Sequence, residues 1–264
     1  MKRVTGTREW AAKTVNVVKG CSHGCRYCYA RANALRFGQI ASTEEWTTET
    51  VNDTAVAKNR GRSRGSIMFP SSHDITPGTL DASLTVLQKL AAMDNTIVVV
   101  SKPHRDCIRQ IREALDPWRF RILLRFTIGA DDDTVLKFWE PGAPDYRERR
   151  TALRESFVEG WATSISIEPM LDPRHIQRLV DALAPYVTET IWFGMMNQPR
   201  SRFQGVTDAD REQLARLEQA QRPEAILAIY DTLQHHPKVR WKDSIRELVR
   251  RERGDPEMAV VFGG

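Results

Sequence analysis

Residues 20–32 read GCSHGCRYCYARA, a stretch unusually rich in cysteine. Three of the four cysteines of the chain, Cys21, Cys25 and Cys28, lie in it with the spacing C-x3-C-x2-C, and the fourth, Cys107, lies far downstream. Three thiolates on one short loop can hold three irons of a cubane iron–sulfur cluster and leave the fourth iron free for a ligand. Electron-transfer clusters normally use four cysteines. The spacing therefore predicts a catalytic cluster.

A zinc site is the alternative, with Cys21, His23, Cys25 and Cys28 as its four ligands. Structural zinc motifs usually come as two separated ligand pairs, whereas His23 stands closely between two cysteines. The spacing favours the cluster, and the zinc site stays open as a second interpretation.

Composition is that of an ordinary globular protein, with 264 residues, 41% of them hydrophobic and 28% charged. The longest strongly apolar runs, such as IVVV at 97–100, are strand-sized, so no membrane span is expected. The start of the chain lacks the apolar region of a secretory signal, and the expected location is cytoplasmic. Clustered cysteines in that reducing compartment bind metal or do chemistry more often than they form disulfides.

Short β-branched runs alternate with helical patterns along the chain. The predicted strands are 14–18, 66–69, 96–101, 121–128, 163–169 and 190–196. The predicted helices are 29–37, 46–59, 81–93, 105–115, 149–160, 173–185 and a helical pattern from about 207 to 235. Nearly continuous apolar strands indicate a parallel sheet buried on both faces. We predict an α/β fold, an open (β/α)6 partial barrel over 1–235, with the cluster loop at 20–29. A basic helical closing segment, 236–264, belongs to the same domain.

The cluster loop resembles that of the radical S-adenosylmethionine (radical SAM) superfamily. The resemblance rests on CSHGCRYC, on the aromatic Tyr27 before the last cysteine and on the strand upstream, and the partial barrel is that superfamily's core. It implies that a [4Fe–4S] cluster binds S-adenosylmethionine at its open iron. It further implies that the cluster cleaves the cofactor reductively and that the resulting 5′-deoxyadenosyl radical abstracts hydrogen from a substrate. A reducing partner of the flavodoxin or ferredoxin type is implied by this chemistry.

Two later motifs are similar to those of the spore photoproduct lyase-like (DNA repair photolyase-like) branch. PSSHD at 70–74 supplies Asp74, with His73 beside it, at the position implied to bind the methionyl amine. VVVSKP supplies Ser101 and Lys102, and the lysine is implied to lie near the methionyl carboxylate.

Arg125 and Glu168 close the fourth and fifth predicted strands. The carboxyl ends of parallel strands share one mouth of a barrel, and a charged residue that closes an apolar strand is rarely placed there for packing. We therefore predict that both side chains bind ribose hydroxyls, the methionyl carboxylate or substrate.

One departure from this branch is Ser71, which occupies the position where the lyases carry a hydrogen-donating cysteine. A hydroxyl O–H bond is too strong to give up a hydrogen atom as a thiol does, so reversal of thymine dimers by the lyase route is not expected. Cys107 lies on the apolar face of a predicted helix and is interpreted as a core residue.

Three interpretations of the function stay open. The first is radical chemistry on nucleic acid, the second is the same chemistry on a peptide or small metabolite, and the third is a non-catalytic zinc-binding module. The net charge of +5 and pI near 9.1 are compatible with a nucleic acid. Two basic groups could track phosphates, KNRGRSRG at 58–65 and the arginines at 246, 250, 251 and 253. Glu247 and Glu252 at helical spacing equally fit a solvated charged face.

Overall fold

The computed structural model describes residues 5–203, 205 and 207–254. Within them, seven parallel strands form one curled half-barrel sheet, and two further strands pair in antiparallel fashion beside it. The strands are β1 (Lys13–Thr14), β2 (Val18–Lys19), β3 (Thr50–Val51), β4 (Ile67–Phe69), β5 (Ile97–Ser101), β6 (Ile122–Thr127), β7 (Ala162–Ile167), β8 (Ile191–Phe193) and β9 (Val239–Trp241). The large sheet has the order β1-β4-β5-β6-β7-β8-β9, and β2 pairs with β3.

Helices connect the strands and cover the outer face of the sheet. They are α1 (Tyr29–Arg36), α2 (Asp53–Ala57), α3 (Leu80–Ala92), α4 (Arg105–Leu115), α5 (Asp133–Trp139), α6 (Tyr146–Val158), α7 (Ile176–Leu183), α8 (Pro199–Arg202), α9 (Asp208–Ala220), α10 (Pro223–Leu233) and α11 (Asp243–Arg253). Short 3-10 helices cover Gly6–Glu9, Glu45–Thr47, Pro77–Thr79, Asp116–Arg121, Pro173–His175 and Ala184–Tyr186. No helix in the described ranges is long and apolar enough to cross a bilayer.

The two faces of the central strands carry different side chains, because successive residues of a strand point to opposite sides. On β6, Leu124 and Phe126 are fully buried in the main core, which also contains Ile108 of α4 and Leu87 of α3. Arg125 lies between them on the other face, inside the barrel. The apolar outer face holds the helices, and the polar inner face is left for the site.

Five of the six predicted strands occur close to their predicted positions, whereas the first one is only two residues long, Lys13–Thr14. The predicted helix 46–59 is a short α2 preceded by β3, and the pattern from 207 to 235 divides into α9 and α10. The basic C-terminal segment adds β9 to the sheet before α11 begins, which the predicted helical pattern did not include. Residues 255–264 of that segment lie outside the described residues.

Candidate functional site

A cavity of about 660 Å³ opens at the carboxyl ends of the strands, and the three clustered cysteines line it. Residues that follow the strands directly also line it. They are Ser71, His73 and Asp74 after β4, Ser101 and Lys102 at the end of β5, Glu168 after β7, and Met195, Met196 and Asn197 after β8. The size is typical of a small-molecule site. The strand ends therefore converge as the barrel pattern predicts.

Backbone contacts hold the start of the cluster loop. The Cys21 amide donates to the Trp46 carbonyl at 2.8 Å. Gly20 has a φ of +89°, and a Cβ there would lie 2.1 Å from the Thr48 carbonyl oxygen. Only glycine fits this position, and the loop therefore enters the cavity directly from β2.

The three cysteines differ in exposure but face the same space. Cys21 and Cys25 are buried, and Cys28 is half-buried at the start of α1, where its sulfur accepts from the Arg31 amide at 3.4 Å. Burial raises the pKa of Cys25 to about 12 and that of Cys21 well above its usual value. A bound metal deprotonates such thiols outright. Cys107 lies on α4 instead, is buried in the main apolar core and does not line the cavity.

The loop fits a cluster better than a single zinc ion. His23 is fully buried, with Nδ1 at 3.2 Å from Asp74 Oδ2 and Nε2 at 2.9 Å from His104 Nε2. Both ring nitrogens of His23 therefore face partners other than a metal. Within the described residues, no three His, Cys, Asp or Glu side chains surround one point as ligands of a single ion. A cubane needs no such point, since each thiolate binds a different iron.

Asp74 is the centre of a buried hydrogen-bond network. Its Oδ1 accepts from the Ser101 hydroxyl and from the Ile75 amide at 2.9 Å, and its Oδ2 accepts from the Lys102 amide at 3.0 Å. The Lys102 ammonium lies 3.7 Å from Oδ2. Every oxygen of this carboxylate thus has donors from its own chain, which ties the ends of β4 and β5 to the cluster loop.

The charges in this network shift one another's pKa values. Burial by itself raises the pKa of Asp74, but the facing His23, Lys102 and Ser101 outweigh it and hold that pKa far below its usual value. Burial likewise disfavours the Lys102 ammonium, yet the charges of Cys25, Glu140 and Asp74 raise the pKa of Lys102 above its usual value. Asp74 is therefore ionised and Lys102 protonated at neutral pH. His73 lies beside them and is bonded at both nitrogens, to the Val17 amide and the Asp74 carbonyl.

A second buried network, which the sequence analysis missed, holds Tyr27. The Tyr27 hydroxyl donates to Glu140, whose other oxygen lies 2.5 Å from the Arg149 guanidinium. Glu140 and Arg149 are both almost fully buried, and Arg149 also donates to the Pro144 carbonyl at 2.7 Å. A carboxylate and a guanidinium are buried together only when they are paired. Tyr27 is thus fixed in the cavity wall by residues of the α5–α6 connection.

Backbone hydrogen bonds also join the cluster loop to the end of α5 and to the connection that follows it. The Arg26 amide donates to the Trp139 carbonyl at 2.8 Å, and the Gly142 amide donates to the His23 carbonyl at 3.0 Å. A Cβ on Gly142 would lie 2.3 Å from the Ser22 carbonyl oxygen. This close approach is a long-range contact that no local spacing pattern reveals.

Glu168 lines the cavity as predicted from its position, with Lys242 Nζ 3.7 Å away. Burial raises the pKa of Glu168 to about 7, although the Lys242 ammonium lowers it. Room for the side chain comes from Gly194, where a Cβ would lie 2.7 Å from Glu168 Cγ. Lys242 itself is held by Glu9 at 2.7 Å and is almost fully buried.

Arg125 does not line the cavity, in contrast to the expectation. It lies inside β6, two residues before the strand ends, and not at its end. Its guanidinium stacks 4.7 Å from the Trp10 ring and donates to Ser164 at 3.0 Å. The alternation of β6 turns it into the barrel interior, so its contacts there are with aromatic rings and hydroxyls.

Of the two basic groups that could track phosphates, the one at 58–65 lies away from the cavity, and the C-terminal arginines are paired with acidic residues. Residues 58–65 precede β4 and therefore lie at the opposite end of the sheet, where the Ser63 amide donates to Asn95. The C-terminal arginines have acidic partners: Arg246 with Glu9, Arg250 with Glu247, Arg251 with Glu252 and Arg253 with Asp231. Neither group forms a basic surface at the cavity mouth.

No family model and no curated protein matches this sequence. Solved structures do match its fold. A spore photoproduct lyase variant with dinucleoside spore photoproduct superposes with a TM-score of 0.56 at 14% identity, over 86% of this chain and 75% of that one. SuiB of Streptococcus suis bound to S-adenosylmethionine superposes with a TM-score of 0.55 at 11% identity, over 95% of this chain.

A second SuiB structure, bound to its precursor peptide SuiA, gives a TM-score of 0.56 at 11% identity. The chain spans about half of the length of SuiB, 52% in that superposition. The lyase and SuiB are both radical SAM enzymes. The chain therefore has the partial (β/α) barrel fold of radical SAM enzymes.

Proposed function

We propose that this protein is a radical SAM enzyme that binds a [4Fe–4S] cluster through Cys21, Cys25 and Cys28. The observation that carries the proposal is their convergence with Lys102 and Glu168 on one cavity at the carboxyl ends of the strands. Three thiols on a motif without a fourth cysteine would leave one iron open, which is the arrangement of a catalytic site.

The bound cluster would supply the electron for reductive cleavage of S-adenosylmethionine to the 5′-deoxyadenosyl radical, which abstracts hydrogen from substrate. The chain itself binds, orients and excludes water. Cys21 and Cys25 are buried, so the cluster would be shielded on that side. Tyr27 is held by Glu140 in the wall of the same space.

The cofactor would lie against the ends of β5 and β7. The protonated Lys102 ammonium suits the methionyl carboxylate, and the cavity-facing Glu168 suits a hydroxyl or ammonium donor. His73, Asp74 and Ser101 bond to one another and to the backbone, so we assign them to holding Lys102 and the cluster loop in position.

We propose nucleic acid as the substrate class, and peptide or small metabolite as the alternative. The basic pI and the dinucleoside product bound by the lyase neighbour support the first; the precursor peptide bound by SuiB supports the second. Titration of a single-stranded oligonucleotide at several salt concentrations separates them, because phosphate contacts give a steep salt dependence. A flavodoxin- or ferredoxin-type reductant is the protein partner that this chemistry requires.

Anaerobic reconstitution with iron and sulfide tests the proposal directly. We expect a [4Fe–4S]+ EPR signal in the reduced protein, a change of that signal on addition of S-adenosylmethionine, and 5′-deoxyadenosine over time. A colourless protein that holds one zinc ion would instead refute the proposal and support the zinc-binding module.

A further inference from the structure

We propose that the cavity binds an oxyanion group of the substrate, a phosphate or a carboxylate, through the guanidinium groups of Arg202 and Arg8. This inference rests on the proposed function, since it names what the substrate of that same site must carry. It concerns a part of the cavity wall that none of the predicted cofactor contacts uses.

Arg202 is the first of the two groups. It ends α8, lines the cavity and is half-buried. Among the described residues its guanidinium has neither a hydrogen-bond acceptor nor a carboxylate partner. Burial lowers the pKa of Arg202, and the charges of Cys28, Tyr29 and Glu168 oppose that effect. A half-buried cation without a partner is costly unless a ligand neutralises it.

Other arginines of the chain show what a paired guanidinium looks like here. Arg200, in the same short helix, forms a two-point contact with Glu218 at 2.7 and 2.9 Å. Arg149 is paired with Glu140, and Arg112 with Glu159 at 2.8 Å. Arg202 lacks such a carboxylate although it is less exposed to solvent than Arg200. The position opposite its fork is therefore available to a ligand.

Arg8 is the second group. It lies in the 3-10 helix Gly6–Glu9 and lines the cavity from an exposed position, and no described residue pairs with its side chain. The two lysines of the cavity are different, since Lys102 faces Asp74 and Lys242 faces Glu9. Of the cations that line this space, Arg8 and Arg202 are thus the two that the described residues leave without an acidic partner.

The chemistry of these groups favours an oxyanion. A guanidinium presents a planar fork of donors that matches carboxylate and phosphate oxygens in two-point contacts. Ser72 and Asn197 line the same cavity, and neither side chain has a hydrogen-bond partner among the described residues. They supply further donors. Since Lys102 is already placed for the methionyl carboxylate, cofactor and substrate would each have their own cations.

Calorimetric titration tests the inference on the reconstituted protein with S-adenosylmethionine bound. Inorganic phosphate and acetate are the two probes, and we expect at least one of them to bind. Arg202→Gln and Arg8→Gln should each weaken that binding about tenfold or more, since a hydrogen bond to a charged group is lost. Arg200→Gln, whose guanidinium is already paired outside the cavity, should bind like the wild type. A tighter fit of phosphate assigns a phosphate-bearing substrate, and a tighter fit of acetate a carboxylate-bearing one.

Three results would overturn the inference. Neither probe binds, or the probe binds equally well to Arg202→Gln, or Arg202→Gln loses affinity for S-adenosylmethionine to the same extent as for the probe. The last result would assign Arg202 to the cofactor. The EPR signal of each sample reports the cluster and cofactor independently. An intact signal without probe binding refutes only this inference, whereas probe binding by a protein that takes up no cluster refutes only the proposed function.

Discussion

The cysteines make the sharpest prediction at the scale of single residues. Cys21→Ala, Cys25→Ala and Cys28→Ala should each abolish the cluster, because each thiolate binds a different iron and no other protein ligand replaces it. Cys107→Ala should keep full iron content, since that thiol is buried in the apolar core. Iron and sulfide analysis after reconstitution is the measurement. Loss of iron from the Cys107 variant would overturn the ligand assignment.

Asp74 should matter for stability, because it holds Lys102 and the cluster loop in position. Asp74→Ala leaves the fully buried His23 and the Lys102 amide without their acceptor. Removing one partner from a buried ionic network typically costs about 3 kcal/mol. Urea unfolding of the cluster-free protein measures the loss, with Asp106→Ala as the control because that carboxylate is exposed on α4. Equal losses in the two variants would show that the Asp74 network contributes nothing specific.

The site residues divide into those that local sequence could reveal and those that it could not. Cys21, Cys25 and Cys28 lie on one loop, so their spacing alone predicts their chemistry. Glu140 accepts a hydrogen bond from Tyr27, 113 positions away, and no local sequence pattern near either residue predicts this contact. The sequence holds only an indirect indication of this contact. A charged residue such as Glu140 is fully buried only when it is paired, here with Arg149. Arg125 was expected at the cavity mouth as the residue that closes its strand, but β6 continues to Thr127 and the alternation of the strand turns Arg125 into the barrel interior.

At the scale of elements, the connection between α5 and α6 supports the cluster loop. Gly142→Ala would place a Cβ 2.3 Å from the Ser22 carbonyl oxygen and push the two segments apart. We expect a loss of about 1–3 kcal/mol in the free energy of unfolding, and lower cluster content although no cysteine is changed. Gly61→Ala is the matched control, since a Cβ there meets nothing within 4 Å. Wild-type iron content in Gly142→Ala would show that the contact is dispensable.

The central strands were predictable for a physical reason. β5 and β6 are five and six residues long and largely buried, and their apolar runs IVVV and ILL are readable in the sequence. β7, ATSISI, is also buried, and its isoleucines at alternate positions indicate a strand although serines lie between them. β9 was missed because it has only three residues, VRW, within a strongly basic segment. Its parallel pairing with β8, in which Val239 lies opposite Ile191 at the sheet edge, is a tertiary contact that the local sequence does not reveal.

For the whole molecule, the N-terminal segment of the described chain meets the start of α11 in the wall of the cavity. Glu9 contacts Lys242 at 2.7 Å and also pairs with Arg246, a contact that spans 237 positions. Trp10 lies 4.4 Å from the Lys242 ammonium. The N-terminal segment therefore closes the half-barrel together with β9 and α11. The Lys242 ammonium of this group lies 3.7 Å from Glu168, and we expect the stability of the fold to depend on pH through that carboxyl.

Glu168→Gln should change that pH dependence with a definite sign. The folded-state pKa of Glu168 is raised to about 7, above its usual value of about 4.3. The folded protein therefore holds the proton more tightly, and the stabilisation present below pH of about 4.3 is lost as the pH rises through 7. The charged groups that act on this carboxyl are Lys242, Glu9, Asp243, Arg125 and Arg202. Glutamine does not titrate, so the free energy of unfolding of the variant should rise by about 2 kcal/mol relative to the wild type between pH 5 and pH 8. The full shift is reduced because the side chain is 21% exposed.

Urea unfolding of the cluster-free proteins at both pH values measures this gain, and Glu113→Gln on the exposed face of α4 is the control. Parallel stability profiles for Glu168→Gln and the wild type would show that this carboxyl is already ionised at pH 5 and that Lys242 holds it as a salt bridge.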